Sequence, residues 1–191
     1  RCAELRQTMP PTPIQIDDPL DPRIDAYLRV RERDLVGRDG RFLAEGLVVL
    51  RMLVRSRFEV ESLLVAEPRR DVVEELVAAL PGEVPLYLAP QRVMDTIAGF
   101  PMHRGVLAVA RRGVEPGLGE LLGRIDRSDA TVVVCVGLSN HDNVGGVFRN
   151  AAAFGADAVL LDAESCDPLY RKAVRVSVGG ALTMPFSRGS S

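Results

Sequence analysis

From Asn140 to Gly155 the chain passes from hydrogen-bonding side chains (Asn140, His141, Asp142, Asn143) into small and apolar residues interrupted by one cation, Arg149. Placed on a helix at about 100° per residue, Val144, Val147, Phe148, Ala151 and Phe154 share an apolar face. Arg149 lies nearly opposite, on the side of Gly145, Ala152 and Ala153. A guanidinium on a surface of such small residues can clamp a phosphate through two parallel hydrogen bonds; the plainer alternative is a solvated helix arginine. Gly145 and Gly146 each cost roughly 1 kcal/mol against alanine inside a helix, so close packing or a ligand contact is expected there. Further on, Pro168 to Val178 divides into an apolar side (Leu169, Tyr170, Ala173, Val176) and a basic side (Arg171, Lys172, Arg175). Three cations without an intervening acid suit a polyanion, although such a stripe can also be a solvated face.

Other chemistries lose ground. No Gly-x-Gly-x-x-Gly and no Gly-x-x-x-x-Gly-Lys follows the apolar run Thr131 to Gly137, which argues against dinucleotide and nucleoside triphosphate cradles. His103 and His141 are too separated to define a dyad or a metal pair, and His141 reads best as a loop histidine without a proton-transfer role. Cys2, Cys135 and Cys166 show no paired spacing, so neither a disulfide framework nor zinc is expected, and Cys135 reads as a small apolar residue. No apolar run approaches the ~20 residues of a membrane span, and the start of the chain lacks a signal-peptide pattern; a cytoplasmic location is expected.

These residues need elements to position them. Residues 1–21, with Pro10, Pro11, Pro13 and Pro19, read as a flexible tail. Asp21 and Pro22 cap a helix expected to reach Val36. Alternating patterns then give a strand at Phe42 to Ala44, a helix at Leu47 to Arg55, a strand at Val60 to Ala66, and a helix at Pro68 to Leu80. The last has Val72, Val73, Leu76, Val77 and Leu80 on one face. A strand at Val84 to Leu88, a helix at Pro90 to Ala98 and a strand at Gly105 to Ala110 complete a first domain, residues 22–112, with helices about a mostly parallel sheet. Residues 113–128, rich in glycine, read as a linker with a short amphipathic piece at Leu118 to Leu122. In a second domain, residues 129–191, Thr131 to Gly137 is expected as a central strand buried on both faces. The helix Asn143 to Phe154 ends at Gly155, and Ala158 to Leu161 is a second strand. A helix opened by Asp167 and Pro168 leads to a third strand, Ala181 to Phe186.

The 191 residues hold 47% hydrophobic and 26% charged residues, the composition of a globular protein, and a net charge of −2 that does not by itself favour nucleic acid. Its distribution is more telling: Arg23 to Arg57 contains nine arginines against five acids. Arg38 and Arg41 belong to that stretch and are candidate phosphate contacts.

The pattern Asn143-x-Gly145-x-x-x-Arg149-x-Ala151-x-x-Phe154-Gly155 resembles the first motif of the SpoU, or TrmH-like, RNA ribose methyltransferases of the SPOUT superfamily. Asp167 to Gly179 is similar to the segment that follows it, and Arg23 to Arg112, with Phe42 to Gly46 and Gly105 to Ala108, resembles the family's ribosomal-protein-like RNA-binding domain. The resemblance implies an α/β protein with an RNA-binding domain and a partial parallel-sheet domain of the trefoil-knot type. It implies methyl transfer from S-adenosylmethionine to a ribose 2′-hydroxyl of ribosomal or transfer RNA by a homodimer, without metal or membrane. Arg149 and Asn143 become the catalytic candidates, and Arg38, Arg41, Arg171, Lys172 and Arg175 the RNA-binding ones. No cofactor-binding residue is assignable, because the family's Gly-Glu-Gly-rich cofactor loop and knotted Ser-Leu-Asn segment have no counterpart here. The 191-residue piece is therefore expected not to methylate, and to leave apolar sheet surface for a dimer partner to cover. The alternatives are a non-catalytic RNA-binding protein and a small-molecule α/β enzyme using Ser139 to Asn143.

Overall fold

The computed structural model describes residues 12–28, 39–80, 84–99, 101–125 and 128–189. In the first unit, β1 (Ile14–Gln15) precedes a 3-10 turn (Pro22–Ile24) and α1 (Asp25–Leu28). There follow β2 (Arg41–Glu45), α2 (Leu47–Val54), β3 (Val60–Ala66), α3 (Arg70–Ala78), β4 (Leu86–Ala89), α4 (Gln91–Ala98) and β5 (Val106–Arg111). Its sheet runs β1-β4-β3-β5-β2. The pairs β1/β4 and β3/β4 are parallel, whereas β3/β5 and β2/β5 are antiparallel, so this sheet is mixed and not mostly parallel as expected.

Alternation along each strand divides the apolar residues between two cores, since neighbouring side chains point to opposite faces. Phe42, Leu63, Val65, Val106 and Ala108 pack on one side with α2 and α3. Leu43, Leu64, Leu107 and Val109 pack on the other with Ile16, Ile24, Tyr27 and α4. Both faces are covered, which is why these strands read as continuous apolar runs. The expected tail is corrected here. Ile14 and Gln15 pair with β4, and Ile16 is fully buried, because its apolar side chain has a place in the second core. The Asp21 carboxylate caps the 3-10 turn through the Arg23 amide, and its contacts with Arg23 hold its pKa at about 2. The rest of the helix expected to Val36, and with it Arg38, lies outside the described residues. On α3, Val73 and Val77 are buried but Val72 is exposed, because at about 100° per residue it lies at the margin of the face that Val73 and Val77 define.

Residues expected as a linker are tied down instead. Arg112 bridges Glu115 and Asp167, the Arg188 amide donates to Glu115 Oε1 at 2.7 Å, and Ser187 Oγ donates to the Pro116 carbonyl at 2.8 Å. α5 (Leu118–Gly123) matches the expected amphipathic piece.

The second unit contains β6 (Val132–Cys135), α6 (His141–Ala153), β7 (Ala158–Leu161), α7 (Arg171–Val176), α8 (Gly180–Thr183) and β8 (Phe186–Arg188). Its sheet is wholly parallel in the order β6-β7-β8. Two expectations are corrected. Ala181 to Thr183 is helical and the third strand starts at Phe186, because Gly179 at φ 86° turns the chain into α8. A Cβ on Gly179 would lie 2.8 Å from Met52 Cβ, so the same glycine lets the second unit press against α2. β6 is an edge strand among the described residues, with Val134 65% and Val136 78% exposed, rather than a strand buried on both faces. A continuous run of apolar residues cannot tell a covered face from an uncovered one.

Candidate functional site

α6 begins at the carboxyl edge of the parallel sheet, where open α/β sheets place their ligands. Asn140 is its N-cap: the side-chain oxygen accepts from the amides of Asp142 at 2.7 Å and Asn143 at 3.3 Å. Gly155, at φ 71°, follows its carboxyl end. The inward face holds Val144, Phe148 and Ala151, as expected, but Phe154 falls past the last turn and is 88% exposed.

The two glycines of α6 have different reasons. A Cβ on Gly145 would stand 2.7 Å from the Ala173 carbonyl oxygen and 2.8 Å from Val176 Cβ, so Gly145 is there to let α6 and α7 cross closely. It therefore faces α7 and not an open surface beside Arg149. Gly146 has nothing within 4 Å of its missing Cβ.

Arg149 is exposed and makes no hydrogen bond or ion pair with any described residue. Its backbone is packed by α8, since a Cβ on Gly180 would lie 3.3 Å from Arg149 Cα. Asn143 is exposed too. The six-residue interval separates the two by about 9 Å along the axis and about 120° around it, so both cannot meet one small group without a ligand that wraps the helix.

The expected basic stripe is divided in space. Lys172 Nζ pairs with Asp142 Oδ2 at 2.6 Å and joins α7 to the first turn of α6. Arg171 is buried, with its Nε 3.3 Å from Glu45 Oε2; the expectation of a solvent-facing cation is corrected at this residue. Arg175 Nη1 lies 3.9 Å from the same oxygen. Arg41 is elsewhere, at the other end of β2 from Glu45 and roughly 13 Å away along the strand. There it pairs with Glu61 at 2.7 Å, beside Arg111, whose Nε is 2.6 Å from the same carboxylate.

Sequence reasoning missed Glu45, which is only 4% exposed at the junction of the units. An acid closing the otherwise apolar run Phe42 to Ala44 was the available signal, since a buried charge needs partners. It also missed Asp162. That carboxylate accepts from Ser165 Oγ at 2.6 Å, the Ser165 amide at 2.8 Å and the Gly137 amide at 2.8 Å. The Ser165 hydroxyl, followed by the Gly137 amide, holds Asp162 below the usual aspartate range. The ring of His141 lies 3.8 Å from that of Tyr170, and burial, then Lys172, lowers the imidazole pKa. Burial raises the Cys135 thiol.

The carboxyl-edge loops bond chiefly to one another. Ser165 Oγ accepts from the Leu138 amide, the Leu138 carbonyl from the Cys166 amide, and the Cys135 carbonyl from the Asp162 amide. Several polar groups of the carboxyl edge are thus engaged within the chain, and none of these bonds singles out a cofactor-binding residue. Among them, no group of three His, Cys, Asp or Glu could hold a metal, and no helix is long and apolar enough to cross a membrane.

Solved structures share this arrangement of a mixed α/β unit docked on a parallel β-α-β unit. An AdoMet-bound rRNA methyltransferase from Sinorhizobium meliloti superposes with a TM-score of 0.77 at 19% identity, over 93% of this chain and 65% of that one. A crystal structure described as an RNA 2′-O ribose methyltransferase has a TM-score of 0.73 at 29% identity, over 93% of this chain and 66% of that one. Residues 130–191 match the SpoU rRNA Methylase family model. A tRNA/rRNA methyltransferase of Mycobacterium bovis, itself uncharacterized, is 37% identical over 177 residues, covering 91% of this chain. The chain spans 59% of the length of that relative.

Proposed function

We propose that the chain is part of a cytoplasmic, homodimeric RNA methyltransferase that carries a methyl group from S-adenosylmethionine to a ribose 2′-hydroxyl of ribosomal or transfer RNA. The observation that carries this reading is the Arg149 guanidinium, exposed and unpaired among the described residues, on the helix that opens from the carboxyl edge of the parallel sheet. A ribose hydroxyl is a poor nucleophile until its proton leaves, so catalysis needs a base or a charge that stabilises the oxyanion. Arginine stays protonated at any working pH, which leaves it the second task. In this reading Arg149 holds the phosphate or the developing alkoxide, and Asn143 fixes the loop. Lys172 and Arg175 contact the RNA backbone, and Arg38 and Arg41 contribute on the first unit.

Because the carboxyl-edge loops bond chiefly to one another, the cofactor contacts are assigned to the longer protein. In that protein, Arg149→Ala should lower turnover at least ~100-fold while S-adenosylmethionine affinity is unchanged. Near-normal turnover would refute the assignment. Mapping 2′-O-methylation in RNA from cells lacking the gene identifies the target nucleotide. The same self-bonded loops favour a second reading, in which the 191-residue chain binds RNA without catalysing. Saturable S-adenosylmethionine binding by this chain in calorimetry would exclude it.

A further inference from the structure

Away from Arg149, a cleft of about 420 Å³ opens where the two units meet. Three guanidinium groups reach it from separate elements: Arg69 from the turn before α3, Arg104 from the turn before β5, and Arg175 from α7. The acid among its lining residues, Glu45, already faces Arg171 at 3.3 Å. Arg104 Nε and Arg175 Nη1 stand 3.9 Å from the Glu45 carboxylate. That is close enough to neutralise its charge but beyond hydrogen-bond length, so their N–H donors are not consumed by it. Arg69 gives one donor to the His103 carbonyl at 3.3 Å.

Two further features point to an occupant. Glu45 lines the cleft although it is only 4% exposed, and its buried Oε2, ion-paired with Arg171 at 3.3 Å, makes no hydrogen bond, so this carboxylate retains accepting capacity. The amino end of α2 also opens here. Gly46, at φ 95°, supplies no side-chain cap, so the first helical amides are left without one and favour an anion. The apolar rim comes from Val48 and Val178, both exposed, the latter at φ 55°, a conformation unusual for a β-branched residue.

We propose that this cleft binds one sugar-phosphate unit of unpaired RNA, the phosphate held by Arg69, Arg104, Arg175 and the α2 amides and a ribose hydroxyl donating to the Glu45 carboxylate. The site is distinct from the Arg149 surface and tethers the strand at the junction of the units. It rests on the RNA reading above and refines it. A simple anion would satisfy the arginines but would offer nothing to Glu45 or the valines.

The test is fluorescence anisotropy of the chain with a labelled, unpaired oligoribonucleotide over a range of salt. Arg69→Gln combined with Arg104→Gln should raise Kd about tenfold and reduce the magnitude of the logarithmic salt slope by about 1.4, at ~0.7 per lost phosphate contact. Arg69→Gln alone should do about half of this in slope, and it alters one exposed side chain should the pair disturb folding. The charge-matched control, Arg70→Gln with Arg92→Gln on exposed helix positions, should stay near wild type. Equal weakening by both double variants, or by neither, overturns the cleft. Equal affinity for the matching oligodeoxyribonucleotide overturns the Glu45 contact. Absence of RNA binding by the wild type overturns the cleft as well, while methyl transfer by the longer protein is judged separately through Arg149→Ala.

Discussion

The two sheets solve the same burial problem to different extents. In the first unit every strand from β2 to β5 sends alternate residues into one of two closed cores, and even Ile16 beside the short β1 is fully buried. In the second, β7 is covered, but Val134, Val136 and Phe154 stand in solvent. The apolar surface expected of the second domain is therefore present, concentrated on the edge strand and the carboxyl end of α6. An apolar residue stabilises a fold only by the surface it removes from water, so chemically similar valines carry very different weight in the two sheets.

The largest test of this contrast strikes the junction. Glu45→Ala leaves Arg171 buried without its carboxylate, and should cost about 3–5 kcal/mol in urea unfolding. Separation of one unfolding transition into two would show that the first unit holds together without the second. Next, Leu64→Ala, in a fully buried position of β3, should cost about 2–5 kcal/mol, whereas Val134→Ala on β6 should stay within about 0.5 kcal/mol. Similar losses at both would mean that β6 is covered in solution. Within α6, Gly145→Ala should destabilise by roughly 1–3 kcal/mol because its Cβ meets the Ala173 carbonyl. Gly146→Ala, in open space, should gain up to about 1 kcal/mol. The smallest effect belongs to Asp162, whose folded pKa lies below the usual 3.8. A depressed carboxylate stabilises the fold above its unfolded pKa and loses that contribution as pH falls through the folded value. The stability gap between wild type and Asp162→Asn should therefore be full at pH 7 and close as the solution is acidified below pH 3.8.

Much of the fold was legible. The strands Val60–Ala66 and Ala158–Leu161 have the expected bounds, and the 47–54 and 91–98 helices differ from expectation by one residue at an end. Asn140 was less so, because a run of hydrogen-bonding residues before a helix does not say which is the cap. Gly145 signalled that something approaches closely without saying that the approaching surface is α7. The basic stripe of α7 was legible as a pattern but not its division: Lys172 turns to Asp142, and what Arg171 faces is an acid more than a hundred residues earlier in the chain.

Local patterns thus determined the elements, the parallel β-α-β unit and the motif that places Arg149 on an exposed helix, because periodicity and capping act over a few residues. Tertiary structure alone decided that the five-stranded sheet is mixed, that residues 14–16 join it, that β6 lies at an edge, and that Glu45 gathers Arg104, Arg171 and Arg175. Each of those outcomes depends on which distant surface arrives to cover a face or neutralise a charge, and no short-range pattern encodes that arrival.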